Sequence, residues 1–155
     1  MNSEINNWRK GVGIFLLNIE NKVFIGERID NLGAWQMPQG GIEEGESIRL
    51  AAERELLEET GISNTEFIAE SQKWYSYKIP KEIRSKLWNG RFIGQRQKWF
   101  AMRFKGLKEE INLKYSNKPE FRACQWVEPC SAVKLIVPFK RKLYKKIISE
   151  FSKFL

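Results

Sequence analysis

The stretch from Gly40 to Ile62 concentrates carboxylates onto one short helix, and that limits what the rest of the chain can build. It reads Gly40-Gly-Ile-Glu-Glu-Gly-Glu46, seven further residues, then Arg54-Glu55-Leu56-Leu57-Glu58-Glu59-Thr60-Gly61-Ile62. Glu55, Glu58 and Glu59 are spaced i, i+3 and i+4, so a helix places them on one face. Like charges at these spacings destabilise an isolated helix by about 0.2–0.5 kcal/mol per pair. A hard divalent cation with oxygen ligands would offset that repulsion.

The chain has 155 residues, an expected single domain spanning 1–155. The hydrophobic fraction of 42% and six tryptophans indicate a packed core. No apolar run approaches the roughly 20 residues that span a bilayer, so no membrane association is expected. Met1 to Lys10 is polar and lacks the apolar centre of a signal peptide. Cys124 and Cys130 fit neither a C-x-x-C motif nor a disulfide framework, so a reduced, cytoplasmic setting is expected. The chain contains no histidine, which excludes histidine triads, histidine-ligated zinc and histidine general bases. Catalysis would fall to carboxylates, Lys, Arg, Tyr and metal-activated water.

Net charge is +8 and unevenly spread. Residues 1–72 carry six Lys/Arg against thirteen Asp/Glu, whereas residues 73–105 carry ten against one. Residues 106–138 are nearly balanced, and the tail from Phe139 carries six against one. An acidic centre facing a basic, aromatic-rich segment suggests a metal site serving a polyanion. A solvated basic surface would give the same counts.

Gly11 to Ile19 and Lys22 to Arg28 read as strands joined at Glu20-Asn21. Asn31 to Gly41 reads as loop. The carboxylate helix should start at Ser47 as N-cap and stop at Gly61. Ala51 and Ala52 lie near its carboxylate face, and Leu50 and Leu57 are expected to anchor the far side in the core. Further strands are expected at Glu66 to Ala69, Lys73 to Ile79, Gln97 to Phe104 and Ala123 to Val127. Pro80 to Gly94 reads as an irregular basic insertion. Phe139, Leu143, Ile147 and Phe151 recur every four residues, which predicts a closing amphipathic helix over Pro138 to Phe154. Strands interleaved with helices predict an α/β sandwich on a mixed sheet.

The pattern G-x5-E-x7-R-E-U-x-E-E-x-G-U, with U a bulky aliphatic, resembles the Nudix box of the Nudix hydrolases. Gly40, Glu46, Arg54, Glu55, Glu58, Glu59 and Gly61 match its fixed positions. A salt-bridged, solvated helix would not need the glycines at those offsets. The resemblance implies a Nudix-type α/β/α sandwich that hydrolyses a pyrophosphate linkage with Mg²⁺ or Mn²⁺, two or more ions. Oxygen ligands favour those ions over zinc. It implies Glu55, Glu58 and Glu59 as metal ligands together with Gly40, and Glu55 as the base. It implies Glu55, Glu58 and Arg54 as the catalytic residues, with Arg54 orienting the carboxylates and Glu46 supporting the loop.

Beyond the box, Trp35 to Gly41, Tyr77-Lys-Ile-Pro80, Gly94 to Phe100, Pro119-Glu-Phe121 and Val137-Pro-Phe-Lys-Arg141 resemble the branch of bacterial RNA pyrophosphohydrolases. These convert 5′-triphosphate RNA to 5′-monophosphate RNA with release of pyrophosphate, initiating mRNA decay. The same branch holds asymmetric dinucleoside tetraphosphate hydrolases, so a nucleoside polyphosphate is the alternative substrate. The resemblance implies Glu120 as a further metal ligand and Arg9, Arg28, Tyr77, Gln95, Gln97, Lys98, Phe139 and Lys140 as substrate-binding residues. Phe139 would stack on a nucleobase, although it also begins the apolar stripe of the last helix. Pro138 stands where the best-known members carry a serine. A non-catalytic binding module would be expected to lack box carboxylates, and none is missing. The sequence calls for no obligate protein partner.

Overall fold

The computed structural model describes residues 7–155; the polar opening at residues 1–6 lies outside the described residues. The strands are β1 (Trp8–Leu17), β2 (Val23–Arg28), β3 (Trp35–Gln36), β4 (Gln39–Gly41), β5 (Thr65–Glu70), β6 (Tyr75–Lys78), β7 (Gly94–Phe104) and β8 (Phe121–Val127). The helices are α1 (Ile48–Thr60), α2 (Lys81–Arg84), α3 (Pro129–Leu135) and α4 (Arg141–Phe151).

The sheet runs β3-β2-β1-β7-β5, with β4 also on β1, β6 on β7 and β8 on β2. Most pairings are antiparallel, but β1 and β7 run parallel from Trp8↔Gly94 to Leu17↔Arg103. The sheet is therefore mixed, as expected. β1 and β2 join at the anticipated turn, where the Asn18 side chain accepts from the backbone N–H of Glu20 and Lys22.

Alternation along β1 and β7 sends side chains to two separate cores. Val12, Ile14, Leu16, Phe100 and Met102 meet Ala51, Ala52 and Leu56 of α1 on one face. Phe15, Leu17, Trp99 and Ala101 meet Leu143, Tyr144, Ile147 and Phe151 of α4 on the other, with Ala132 of α3. Helices on both faces make an α/β/α sandwich. No helix among the described residues is long and apolar enough to cross a membrane. Cys124 and Cys130 are both free.

Four expectations need correction. The segment 31–41 is not all loop: it contains the short strands β3 and β4. The anchor of α1 is Leu56, almost fully buried, whereas Leu50 is exposed and Leu57 half-buried. The reason is that the carboxylate face itself packs on the sheet through Ala51, Ala52 and Leu56. The basic insertion contains α2 and a 3-10 turn at Trp88–Gly90. The closing helix begins only at Arg141, after a 3-10 turn over Pro138–Lys140.

Candidate active site

Ser47 caps α1 by accepting the Leu50 backbone N–H at 3.2 Å. Gly61 ends it in the left-handed region at φ 74°, donating to the Leu57 carbonyl. Both caps hold the helix in one register against β4, so Glu55, Glu58 and Glu59 have fixed starting points.

Arg54 organises the loop–helix unit. Its guanidinium donates to both oxygens of Glu46 at 2.7 and 2.9 Å and to the Gly41 carbonyl at 2.8 Å. Its Nη1 donates to Glu55 at 2.9 Å and to Glu58 at 3.3 Å. Glu46 also accepts the Glu43 backbone N–H. The Arg54 hydrogen bond is the main reason the Glu46 carboxyl is pulled down to about 2.

Burial raises the Glu55 pKa, while the hydrogen bond and charge of Arg54 pull the other way. Glu59 is fully within the core layer, and burial, followed by the charges of Glu55 and Glu120, pushes its carboxyl well above the usual range. Its Oε2 is buried without a hydrogen-bond partner among the described residues. An unpaired buried carboxylate oxygen costs several kcal/mol unless a cation meets it.

Close approach explains the two glycines of β4. A Cβ on Gly40 would stand 1.9 Å from Cδ of Glu55, and one on Gly41 would stand 2.5 Å from Nη2 of Arg9. The acidic helix and the basic end of β1 thus meet over neighbouring backbone positions. Arg9 donates to Gln95 at 3.1 Å and lies 4.7 Å from the Trp88 ring centroid. Burial lowers the Arg9 pKa against the opposing charges of Glu55, Tyr77 and Glu120.

The residues expected on the substrate side form a second cluster. Gln95 donates to the Tyr77 hydroxyl at 2.6 Å. Lys140 is buried, with Nζ 4.9 Å from the Tyr77 ring and 6.0 Å from that of Phe139. Tyr77 and Phe139 have ring centroids 6.0 Å apart. Arg28 is held bidentately by Asp30 at 2.8 and 2.6 Å. Burial pulls the Arg28 pKa down, but this pair outweighs it and the net direction is up. Asp30, Gln39, Trp88 and Tyr144 were not singled out from the sequence. The Gln39 side chain accepts from Gln97 at 3.2 Å, and the Tyr144 hydroxyl accepts the Met37 backbone N–H at 2.7 Å.

Two candidates lie differently from the expected arrangement. Gln97 and Lys98 are consecutive on β7 and project to opposite faces. Gln97 donates to Gln39 at 3.2 Å and accepts from the Trp99 indole at 3.2 Å. Lys98 instead pairs with Glu70 at 3.6 Å and donates to the Gln72 carbonyl. Glu120 is exposed, and its charge acts on Glu59, Arg9 and Arg28. Yet among the described residues no group of three or more acidic side chains converges tightly enough to surround an ion. Arg54 draws Glu55 and Glu58 toward itself, and Glu59 stays beneath them.

The donor set still fits a hard divalent cation. It is all oxygen, it includes the Glu59 Oε2 that has no partner among the described residues, and the missing side chain of Gly40 leaves room for the Glu55 carboxylate.

A mixed sheet with a capped, glutamate-rich helix clamped to one edge by an arginine defines a class of α/β hydrolases. The chain belongs to the Nudix family: the model of the NUDIX domain matches residues 7–147. The chain is 44% identical to the RNA pyrophosphohydrolase of Wolbachia pipientis, over 98% of this chain and 94% of that protein. It is 49% identical to the RNA pyrophosphohydrolase of Rickettsia bellii, over 93% and 89%. In fold it resembles the E. coli dihydroneopterin triphosphate pyrophosphohydrolase (TM-score 0.71, 21% identity, 90% of this chain and 95% of that one). It also resembles a C. elegans Ap4A hydrolase (TM-score 0.66, 18% identity, 94% and 98%).

Proposed function

We propose that this chain is an RNA 5′ pyrophosphohydrolase that converts 5′-triphosphate RNA to 5′-monophosphate RNA and pyrophosphate, the step that opens an mRNA to decay. The observation that carries the reading is similarity along nearly the whole chain to relatives of that name. The geometry agrees. An acidic helix meets Arg9 over adjacent glycines, and Arg28 and Lys140 lie on the same side with two aromatic rings. A triphosphate is attracted by the cations, and a nucleobase finds the rings of Tyr77 and Phe139.

Glu55, Glu58 and Glu59, with Glu120 and the Gly40 carbonyl, would hold Mg²⁺ or Mn²⁺, two or more ions. When bound, such ions neutralise phosphate charge and lower the pKa of water. Glu55 is the proton acceptor in this reading; burial raises its pKa, and the hydrogen bond and charge of Arg54 oppose the rise. Arg54 fixes the Glu55 carboxylate through one hydrogen bond and the preceding loop through Glu46 and Gly41. Arg9, steadied by Gln95, and Lys140 hold phosphate oxygens. Arg28 and Phe139 take the base. The setting is cytoplasmic, in keeping with two free cysteines.

The test compares rates on 5′-triphosphate RNA and diadenosine tetraphosphate with Mg²⁺. Pyrophosphate release from RNA, lost in Glu58→Gln, is the expected result. Intact RNA beside rapid cleavage of the dinucleotide would replace the reading with a dinucleoside polyphosphate hydrolase.

A further inference from the structure

Beside the catalytic cluster a groove of about 1080 Å³ lies between β6 and α4. That is at or above the upper end of small-molecule sites, roughly 300–1,000 Å³. Tyr77 and Phe139, the two rings expected to meet a nucleobase, are among its lining residues. The groove therefore shares two side chains with the place where the 5′ nucleotide would sit.

Its floor and rims are basic. Lys142, Lys145, Lys146 and Ser149 line it from α4, spaced i, i+3, i+4 and i+7, so they share one face. Tyr144, Ile147 and Phe151 occupy the opposite, buried side. Lys73 and Lys78 contribute from the β6 side. None of these five lysines forms an ion pair among the described residues. The one carboxylate in the groove, Glu150, is already engaged: it accepts the Gln72 backbone N–H at 2.8 Å and the Tyr75 hydroxyl. Like charges at these spacings on α4 repel one another, and Glu150 is the one carboxylate lining the groove that offsets them. An external polyanion would relieve the remaining repulsion.

We infer that this groove binds the RNA chain downstream of the 5′ nucleotide, with the α4 lysines on successive phosphates and Phe139 in its lining. The inference rests on the RNA reading above. A single strand suits the site better than a membrane, because the charge lines a concave channel that shares the two rings rather than a convex face. Lysine gives point-charge contacts to phosphate without sequence preference, so the groove should sense length and not sequence. Each phosphate contact on a single strand contributes about 0.7 to the slope of log affinity against log salt.

The test uses Lys142→Gln, Lys145→Gln and Lys146→Gln combined, three exposed positions outside the catalytic cluster. Rates are measured on a 5′-triphosphate dinucleotide and decanucleotide, and anisotropy follows binding of a 5′-hydroxyl decanucleotide. The triple variant should match the wild type on the dinucleotide, and lose about tenfold in kcat/KM on the decanucleotide at low salt. Its salt slope for decanucleotide binding should be shallower by about 2. Equal binding of the 5′-hydroxyl decanucleotide by both proteins would overturn the groove, whatever the rates. If instead neither protein cleaved the dinucleotide but their decanucleotide affinities still differed, the 5′ chemistry would fall and the groove would stand. Loss of binding to phosphatidylglycerol vesicles with RNA binding unchanged would also overturn it.

Discussion

Gly40 and Glu55 share a space too small for one more carbon: a Cβ at position 40 would lie 1.9 Å from the Glu55 carboxyl carbon and 2.1 Å from its Oε2. The clash falls on a side-chain end and not on backbone. Gly40→Ala should therefore fold, losing about 1–3 kcal/mol to overpacking. The displaced carboxylate must leave its Arg54 hydrogen bond, and a misplacement near 1 Å costs about 10²-fold in rate. Urea unfolding beside single-turnover kinetics checks this; equal damage to both would assign Gly40 to folding alone.

Glu59 should report cation binding directly. Its carboxyl is raised by burial and by Glu55 and Glu120. Its stabilising contribution is thus present below the unfolded value of 4.5 and is lost as pH rises through the folded value. In EDTA at neutral pH, Glu59→Gln should raise Tm, because a neutral amide is cheaper to bury. Added Mn²⁺ should raise Tm in the wild type and much less in the variant. A variant with lower Tm in EDTA and full Mn²⁺ stabilisation would contradict the assignment.

Glu46 has the opposite sign. Held at about 2 by Arg54 first and the Glu43 backbone second, it contributes stability above pH 4.5 that disappears as pH falls toward 2. Arg54→Lys cannot keep the two-oxygen contact. Its acid unfolding curve should be flatter over that window, and its turnover at neutral pH should fall as Glu55 loses its hydrogen bond. Superimposable acid curves would remove Arg54 from this role.

Phe139 offers a partly exposed ring against Tyr77. Base stacking on an aromatic is worth about 1–3 kcal/mol, so Phe139→Ala should raise KM for triphosphate RNA by roughly 5- to 150-fold with kcat less affected. Phe139→Trp should restore binding. A loss confined to Tm would mark the ring as packing only.

Much of this was legible in the sequence because the signals are local. Ser47 and Gly61 bound α1 through capping chemistry, and the apolar runs in residues 11–19 and 97–104 marked the central strands. The facing of α1 was not legible. Leu50 and Leu57 look like anchors only if charge marks the solvent side, whereas Glu59 goes inward with Leu56. α3 is too short, at seven residues, to show a period. Lys98 grouped naturally with Gln95 and Gln97 in sequence, but strict two-residue alternation sends it to the other face. Asp30 carried a usable hint, standing two residues after Arg28. Trp88 carried none, since its contact with Arg9 depends on how the insertion folds back.

The parallel pairing of β1 with β7 has a kinetic consequence. Ten residues near the start of the chain find their partners only when residues 94–104 are available. Closing so long a loop is slow in proportion to its entropy, and such non-local pairings place folding toward the millisecond-to-second range. On the ribosome, β1 has to wait for more than half the polypeptide to emerge. The acidic first half and the basic second half are brought together by that pairing, so the site is complete only when both are in place.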